Sequence, residues 1–533
     1  MGKERVRVRT GRIEFDEFYP LVYSFLKNAR MEMVIDGKKI TGYRTPDAHS
    51  LWIRDFSDML RAVKYFENDL ESAVKHFAET QSKNGRIFDY FTVFPEKQPC
   101  EKENWTKYVR VPVEADVEYR FIKAAYLVWQ AAGDDRWLEK IYSHMEKALS
   151  YVLSHSWRWD PKYNLVKRAY TIDTWDFAYT AGAHDWLQFQ INDRTYWGIM
   201  HGDNSGYYES FKIMALFSDY LGKSKQAEKW KNKAWEIKEN MNQICWNGKF
   251  YTHFVRINPV EIKGVDEEKQ LSLSNPMDIN RGVADHKEAV SIINEYLKRR
   301  QNTNAFAEWF SIDPPFPDGI FGDPKLKKGA YVNGGIMPLV GGEISKAAFE
   351  HGFERYGVDI LKRYFNMISS TGEAYLWYFP DGSPPTKETS TSPEASSSDA
   401  WGSSAMLYAF IEGLCGVQDQ TKIFKKIKIA PRWDAAGVRK AEVRVEYAAS
   451  GKYVGYTYNQ KKENVELNVE CPQSDLFFHV LLPDKSKVKS VSADGKQISF
   501  REEITEKSRY ADFKMNKKKR ILIEIRLIRE KEK

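Results

Sequence analysis

The stretch that decides the fold is Val117-Glu118-Tyr119-Arg120-Phe121-Ile122-Lys123-Ala124-Ala125-Tyr126-Leu127-Val128-Trp129-Gln130, followed by Gly133 and then by Trp137 to Val152. Its first part is apolar on most faces. Its second part repeats apolar residues at three and four: Trp137, Leu138, Ile141, Tyr142, Met145, Ala148, Leu149 and Val152. A helix buried all round, a glycine where a left-handed residue ends it, and a helix with one wet side make a helical hairpin. The pattern recurs. Tyr207 to Leu221, Gly222, and then Ala227, Trp230, Ala234, Ile237, Met241 and Ile244 form a second pair, and Gly335 to Gly352 followed by Val358 to Ser369 form a third. Roughly eleven helices are expected between residues 14 and 415, where six hairpins need twelve. Inner helices would line a ring, with a deep pocket in the loops at one end.

After Gly416 the period falls to two. Lys426 to Ile429, Ala441 to Tyr447, Tyr453 to Tyr458, Val465 to Glu470, Leu476 to Leu482 and Ile521 to Ile525 read as strands, and Asp494-Gly495 as a hairpin turn. The expected organisation is a mainly α domain over 1–417, an (α/α)6 toroid, and a C-terminal antiparallel β-sandwich over 418–533.

Composition excludes several classes. Of the 533 residues 42% are hydrophobic, and no window approaches the roughly 18 apolar residues of a membrane helix. The N-terminus carries no apolar leader, and Cys100, Cys245, Cys415 and Cys471 form no CxxC pair, which suits a reducing cytoplasm. A net charge of +7 is slight for this length, so the runs Lys517 to Arg520 and Lys422, Lys425, Lys426, Lys428 read as solvated surface rather than as a nucleic-acid patch. The 16 Trp, 30 Tyr and 30 Phe supply flat rings suited to stacking on sugars, and also to a core.

Glycoside hydrolysis needs two carboxyl groups flanking one bond, so acids beside aromatics before apolar helices are the candidates. Leu51-Trp52-Ile53-Arg54-Asp55-Phe56 offers an Arg–Asp pair, either a structural salt bridge or a clamp on sugar hydroxyls. Tyr170-Thr171-Ile172-Asp173-Thr174-Trp175-Asp176 sets two acids around an indole, which desolvates a carboxyl and raises its pKa; a helix cap with a surface acid is the plain alternative. His201-Gly202-Asp203-Asn204-Ser205 offers polar groups, with too few ligands for a metal and with capping by Asn204 or Ser205 as the simpler role. The loop from Thr371 to Trp401 carries Glu373, Asp381, Glu388, Glu394 and Asp399 beside Trp377, with a Ser-, Thr- and Pro-rich segment from Ser383 to Ser398. No nucleophile elbow, phosphate loop or dinucleotide fingerprint appears.

Together these segments resemble the six-hairpin glycosidases: glucoamylase, trehalase, the processing α-glucosidases and the α-rhamnosidases. Trp52-Ile53-Arg54-Asp55 is similar to the glucoamylase motif whose Arg and Asp hold the terminal sugar. Ile172 to Asp176 resembles both the glucoamylase segment ending in Trp-Glu and the trehalase segment Gly-Trp-Asp-Phe, which implies Asp176 as general acid. Glu373-Ala374-Tyr375 resembles the Glu-x-Tyr carrying the general base. Asn333-Gly334-Gly335-Ile336-Met337-Pro338 and Ser398-Asp399-Ala400-Trp401 are similar to the last two inner helices, and Ile427 to Pro431 to the rhamnosidase β-domain. The chain departs from these families: the rhamnosidase acid motif is absent, Asp stands where glucoamylase has Glu, and the distance from Glu373 to Trp401 is longer, which keeps Glu388 and Glu394 as rivals for the base.

The resemblance implies an exo-acting, inverting hydrolase of a terminal, α-linked sugar, with no metal or organic cofactor. Trp52, Arg54, Asp55, Asp173, Trp175, Asn204, Trp377 and Trp401 are its expected substrate contacts. A glycoside or oligosaccharide is the expected partner, with neither nucleic acid nor membrane; sugar identity and oligomeric state are not legible. A sugar phosphorylase or unsaturated-uronide hydrolase on the same ring, and a non-catalytic glycan-binding protein, are the rival readings.

Overall fold

The computed structural model of the chain describes residues 5–44, 50–94, 104–110, 115–174, 179, 191–390 and 395–529. Six helices follow one another in space as they do in sequence: Ile53–Val63, Val117–Ala132, His201–Tyr220, Ser274–Arg281, Pro338–Glu350 and Trp401–Tyr408. Each packs on the next, and the last returns to the first. A second set, Phe18–Asn28, Glu71–Glu79, Asp135–Ser154, Ser224–Cys245, His286–Asn302 and Glu354–Thr371, packs against these.

Burial follows the sequence pattern. In Ile53–Val63 every residue but Asp55 is buried. In Asp135–Ser154 only the stripe through Trp137, Leu138, Ile141, Met145, Leu149 and Val152, with its flanking neighbours, is covered. Gly133 (φ +75°) and Gly222 (φ +72°) take the left-handed conformation at the ends of their helices, where a side chain would be strained. The helix expected from Gly335 starts at Pro338, because Ile336 is bridged to Phe310 and Tyr378 and the proline, lacking an N–H, fits the first turn. No described helix is long and apolar enough to cross a membrane.

The C-terminal strands form a large, mainly antiparallel sheet, hydrogen-bonded continuously in the order Val6–Arg9, Lys440–Glu446, Tyr453–Gln460, Asn464–Leu481, Ser508–Arg529, Ser486–Ala493, Lys496–Ile498. Lys426–Ile429 adds to Asn464–Leu481 in parallel, Val417–Asp419 adds to Lys426–Ile429, and Arg501–Thr505 adds to Ser508–Arg529. Two expected strands, Val465 to Glu470 and Leu476 to Leu482, are one strand interrupted by register shifts between Glu470 and Leu476. Asp494 (φ 48°) and Gly495 (φ 78°) make the expected turn.

One difference bears on the division of the chain. Residues 6–9 lie on this sheet, not with the helices: Val6 pairs with Val445 and Arg9 with Glu442. Val6 and Val8 point inward and cover the edge of Lys440–Glu446. Four residues are too few for a period-two signal to stand out beside a helical region.

Candidate active site

The first turns of the inner helices converge. Arg54, in the first turn of Ile53–Val63, donates through Nε to Asp116 Oδ2 at 2.9 Å, just ahead of Val117–Ala132. A Cβ on Gly402 would lie 2.8 Å from Pro338 Cβ, so the starts of Trp401–Tyr408 and Pro338–Glu350 also meet. Trp401 Nε1 donates to Asp58 Oδ2 at 2.8 Å.

Arg54 is buried between carboxylates, its Nη2 lying 3.5 Å from Asp89 Oδ1. Burial pushes the Asp116 carboxyl up, but Arg54, Arg120 and Arg168 outweigh it and hold it at about 2. Asp89 also accepts from Arg110 Nε at 2.8 Å. The Arg110 guanidinium lies 4.4 Å from the Trp52 ring centroid, and Trp52 stacks on Tyr90 at 3.7 Å, which stacks on Tyr108 at 4.7 Å. Trp52 therefore belongs to a rigid column of rings. Asp55 is half-buried in the same first turn.

Asp173 is fully buried with φ +47°, and its carboxylate caps another inner helix: it accepts Ser274 Oγ–H at 2.6 Å and the Ser274 N–H at 3.3 Å, while its own N–H donates to His253 Nε2 at 2.8 Å. Burial holds His253 neutral, with a pKa lowered to about 3, as that acceptor role requires. Trp175 and Asp176, immediately beyond, lie outside the described residues, as does Glu394.

Beside this anchor, Arg168 Nη1 donates to both Asp203 oxygens at 3.2 Å. Burial dominates for Asp203, with Asp116 and Asp173 adding to it, and Arg168 only partly offsets them; its pKa is raised to about 6. His201 Nδ1 lies 2.5 Å from Asp278 Oδ2 and its Nε2 2.9 Å from Ser272 Oγ. Asn204 accepts the Val166 N–H at 2.8 Å and donates to Val166 O and Met200 O, so its amide ties the strand Leu165–Ala169 to the helix His201–Tyr220. Among the described residues no group of three His, Cys, Asp or Glu is placed to hold a metal.

The last loop is stitched to the final inner helix. Ala374 and Ser398 form a parallel bridge, with Ala374 N–H donating to Ser397 O at 2.9 Å and Asp399 N–H to Ala374 O at 2.8 Å. This carries Glu373, exposed and accepting Tyr375 O–H at 3.1 Å, to one residue from the bridge. Asp399 accepts the N–H groups of Trp401 and Gly402, capping that helix, and burial raises its carboxyl to about 6. Trp377 and Trp401 are buried, and Glu388 is exposed.

The arrangement thus brings Trp52, Arg54, Asp173, Asn204 and Trp401 to the starts of the inner helices, with the polar groups of Arg54, Asp173, Asn204 and Trp401 engaged inside the protein. Sequence reasoning missed Asp89, Asp116 and Arg168. Asp116 stands directly before a nearly all-apolar helix but between Ala115 and Val117, without an aromatic neighbour to mark it; Asp89 and Arg168 carry no local signal.

The fold that carries this geometry is shared with known proteins. The model of the bacterial α-L-rhamnosidase six-hairpin glycosidase domain matches residues 58–302. The GH78 rhamnosidase of Bacillus sp. GL1 superposes with a TM-score of 0.59 at 14% identity, over 90% of this chain and 43% of that one. The α-L-rhamnosidase of Dictyoglumus thermophilum gives 0.58 at 14%, over 98% and 51%, and that of Streptomyces avermitilis, solved with L-rhamnose, gives 0.59 at 10%, over 97% and 42%. The chain spans about half the length of these structures. No curated protein matches the sequence. The cyclic inner helices and these comparisons give the chain the fold of the six-hairpin glycosidases, with residues 58–302 matching the domain model of that superfamily.

Proposed function

We propose that the protein is an exo-acting glycoside hydrolase that removes a terminal α-linked sugar with inversion, from a pocket at the mouth of an (α/α)6 toroid followed by a β-sandwich. Asp176 is the general acid that protonates the glycosidic oxygen. Glu373 is the base that activates water on the opposite face of the sugar, with Glu388 and Glu394 as alternatives. Inversion requires carboxyl groups about 6.5–9.5 Å apart. The observation that carries the reading is the closed succession of six inner helices whose first turns are crowded with Arg–carboxylate pairs. Asp173, three positions before Asp176 in sequence, supports the reading, since its carboxylate is pinned to Ser274 at the start of an inner helix and its N–H to His253.

In this reading Arg54, Asp173 and Asn204 fix the walls of the pocket, while Trp52, Asp55, Trp175, Trp377 and Trp401 shape its interior. The rhamnosidase names of the matching model and structures make α-L-rhamnosides the first substrates to try, with α-glucosides next.

The test is a panel of 4-nitrophenyl glycosides, with and without added phosphate, followed by NMR of the first-formed anomer. Turnover independent of phosphate with release of the β-anomer is expected. Asp176→Asn should lower kcat by about 10²–10⁴-fold. Of Glu373→Gln, Glu388→Gln and Glu394→Gln, the first should show the largest loss. Retention of configuration, or full activity in Asp176→Asn, would overturn the assignment.

A further inference from the structure

The two basic runs that the sequence reads as solvated surface meet in space. Lys426–Ile429 adds in parallel to Asn464–Leu481, with Lys426 opposite Asp475. Asn464–Leu481 in turn pairs with Ser508–Arg529, with Ser474 opposite Lys518. Residues about ninety apart in sequence thus border one groove of about 500 Å³ between the helical part and the sheet. Its floor is apolar: Leu216, the edge of buried Trp129, and Tyr220, a residue 45% exposed. Its rim carries Lys425, Lys426 and Lys517, all exposed and none in an ion pair among the described residues. The fourth lysine, Lys422, is held by Asp135 and lies 4.9 Å from the Tyr220 ring centroid.

The groove is built rather than incidental. Ile423 N–H donates to Gln130 O at 2.7 Å, Gln130 Nε2 to Asp419 O at 2.9 Å, and Ser474 Oγ–H to Phe424 O at 2.6 Å, which locks the lysine-bearing segment to the end of Val117–Ala132 and to the sheet. The carboxylates that line it are already engaged. Asp219 pairs with Lys231 at 2.9 Å, and Asp475 accepts the Lys517 N–H at 3.1 Å. It lies at the far end of His201–Tyr220 from the candidate active site, and a helix of twenty residues spans about 30 Å.

We propose that this groove is a second carbohydrate-binding site, which takes an acidic, carboxylate-bearing oligosaccharide and anchors the body of a polymer whose end is processed at the mouth of the ring. The inference rests on the glycosidase reading. Lys422 lies over one face of the Tyr220 ring, the half-exposed phenol offers the remainder of its surface to the C–H side of a sugar, and the three rim ammonium groups without ion pairs among the described residues suit the carboxylates of a uronate chain. A nucleic acid calls for a longer track of cations, whereas here Lys428 is committed to Glu350 and Arg520 to Glu470.

Calorimetric titration of the full chain with oligogalacturonate, maltohexaose and a twenty-residue oligothymidylate tests it, alongside Lys425→Gln/Lys426→Gln/Lys517→Gln and Tyr220→Ala. Oligogalacturonate should bind and maltohexaose should not. The triple variant should bind about tenfold more weakly, the loss expected of three exposed ion pairs, and should keep its turnover of nitrophenyl glycosides. Absence of oligogalacturonate binding, binding unchanged in the triple variant, or tighter binding of oligothymidylate would each overturn the proposal. Because binding is read without turnover, a chain that binds but hydrolyses nothing refutes the hydrolase and not the groove, and a chain that hydrolyses without binding refutes the groove alone.

Discussion

Two carboxyls two positions apart show how little a residue's behaviour follows from its name. Asp116 faces Arg54, Arg120 and Arg168 and is held at about 2, while Glu118, equally buried, is pushed by burial to about 7, with Arg158 offsetting only part of the effect. Glu118 accepts the Ile87 N–H at 3.2 Å. Its folded pKa lies above its usual 4.5, so the stability linked to its proton is fully present below that value and is lost as pH rises through about 7. At about 1.4 kcal/mol per pKa unit this amounts to about 3 kcal/mol across the window. Glu118→Gln keeps an acceptor for Ile87 and has no proton to lose. Urea unfolding at pH 4 and pH 8 should therefore move the stability difference in favour of the variant by about 3 kcal/mol. A difference constant with pH would mean that folding leaves the Glu118 carboxyl at its usual value of 4.5. At this scale the sequence shows which residue types gather, as in Trp52-Ile53-Arg54-Asp55, but not their partners: Asp116 lies 62 positions from Arg54, and the packing of one inner helix on the next brings it within reach.

Helices reveal themselves when one face is wet. Asp135–Ser154 and Ser224–Cys245 bury a single stripe and were legible from periodicity, and their partners were legible from the glycine that ends each. Ser274–Arg281 and Trp401–Tyr408 have eight residues each, too few for a period to establish itself, and the second runs on into a π-helical turn over Ala409–Leu414. What sets the spacing between inner helices is small residues. A Cβ on Gly342 would lie 2.5 Å from the carbonyl carbon of Ala405, a backbone atom that cannot swing aside. Gly342→Ala should therefore force Pro338–Glu350 and Trp401–Tyr408 apart, at about 1–3 kcal/mol, and disturb the mouth that both helices frame. Asp134→Ala, which removes the cap on Trp137 N–H in a helix of the second set, should lose about 1 kcal/mol and leave turnover intact. Thermal melts paired with glycosidase assays separate the two: if Gly342→Ala melts and turns over as the native chain does, close helix approach is not what holds the mouth in shape.

The N-terminal segment touches both parts of the molecule. Phe18, at the start of the first long helix, stacks on Phe410 at 4.5 Å just beyond the last inner helix, and Val6–Arg9 continues onto the sheet. Between the two parts stands Glu350, at the end of an inner helix, where its carboxylate accepts Lys428 Nζ at 2.6 Å, Gln418 Nε2 at 2.7 Å and Arg432 Nη2 at 3.0 Å. Burial opposes the charge, but Lys346, Lys428 and Arg432 outweigh it and hold this carboxyl well below 4.5. A depressed carboxyl contributes stability that is present above its unfolded value and is lost as pH falls below it. Breaking a largely buried network from one side leaves the other charges uncompensated, which is worth roughly 3 kcal/mol. Scanning calorimetry of the full chain should accordingly show one transition for helices and sheet together at pH 7. Glu350→Gln should melt earlier at pH 7, with the deficit shrinking below pH 4 as the native carboxylate takes up its proton. Removal of residues 1–11 should also lower the transition by uncovering the edge of Lys440–Glu446. If instead the native chain melts in two steps, and Glu350→Gln moves neither, the helical ring and the sheet are independent bodies and the joint at Glu350 does not couple them.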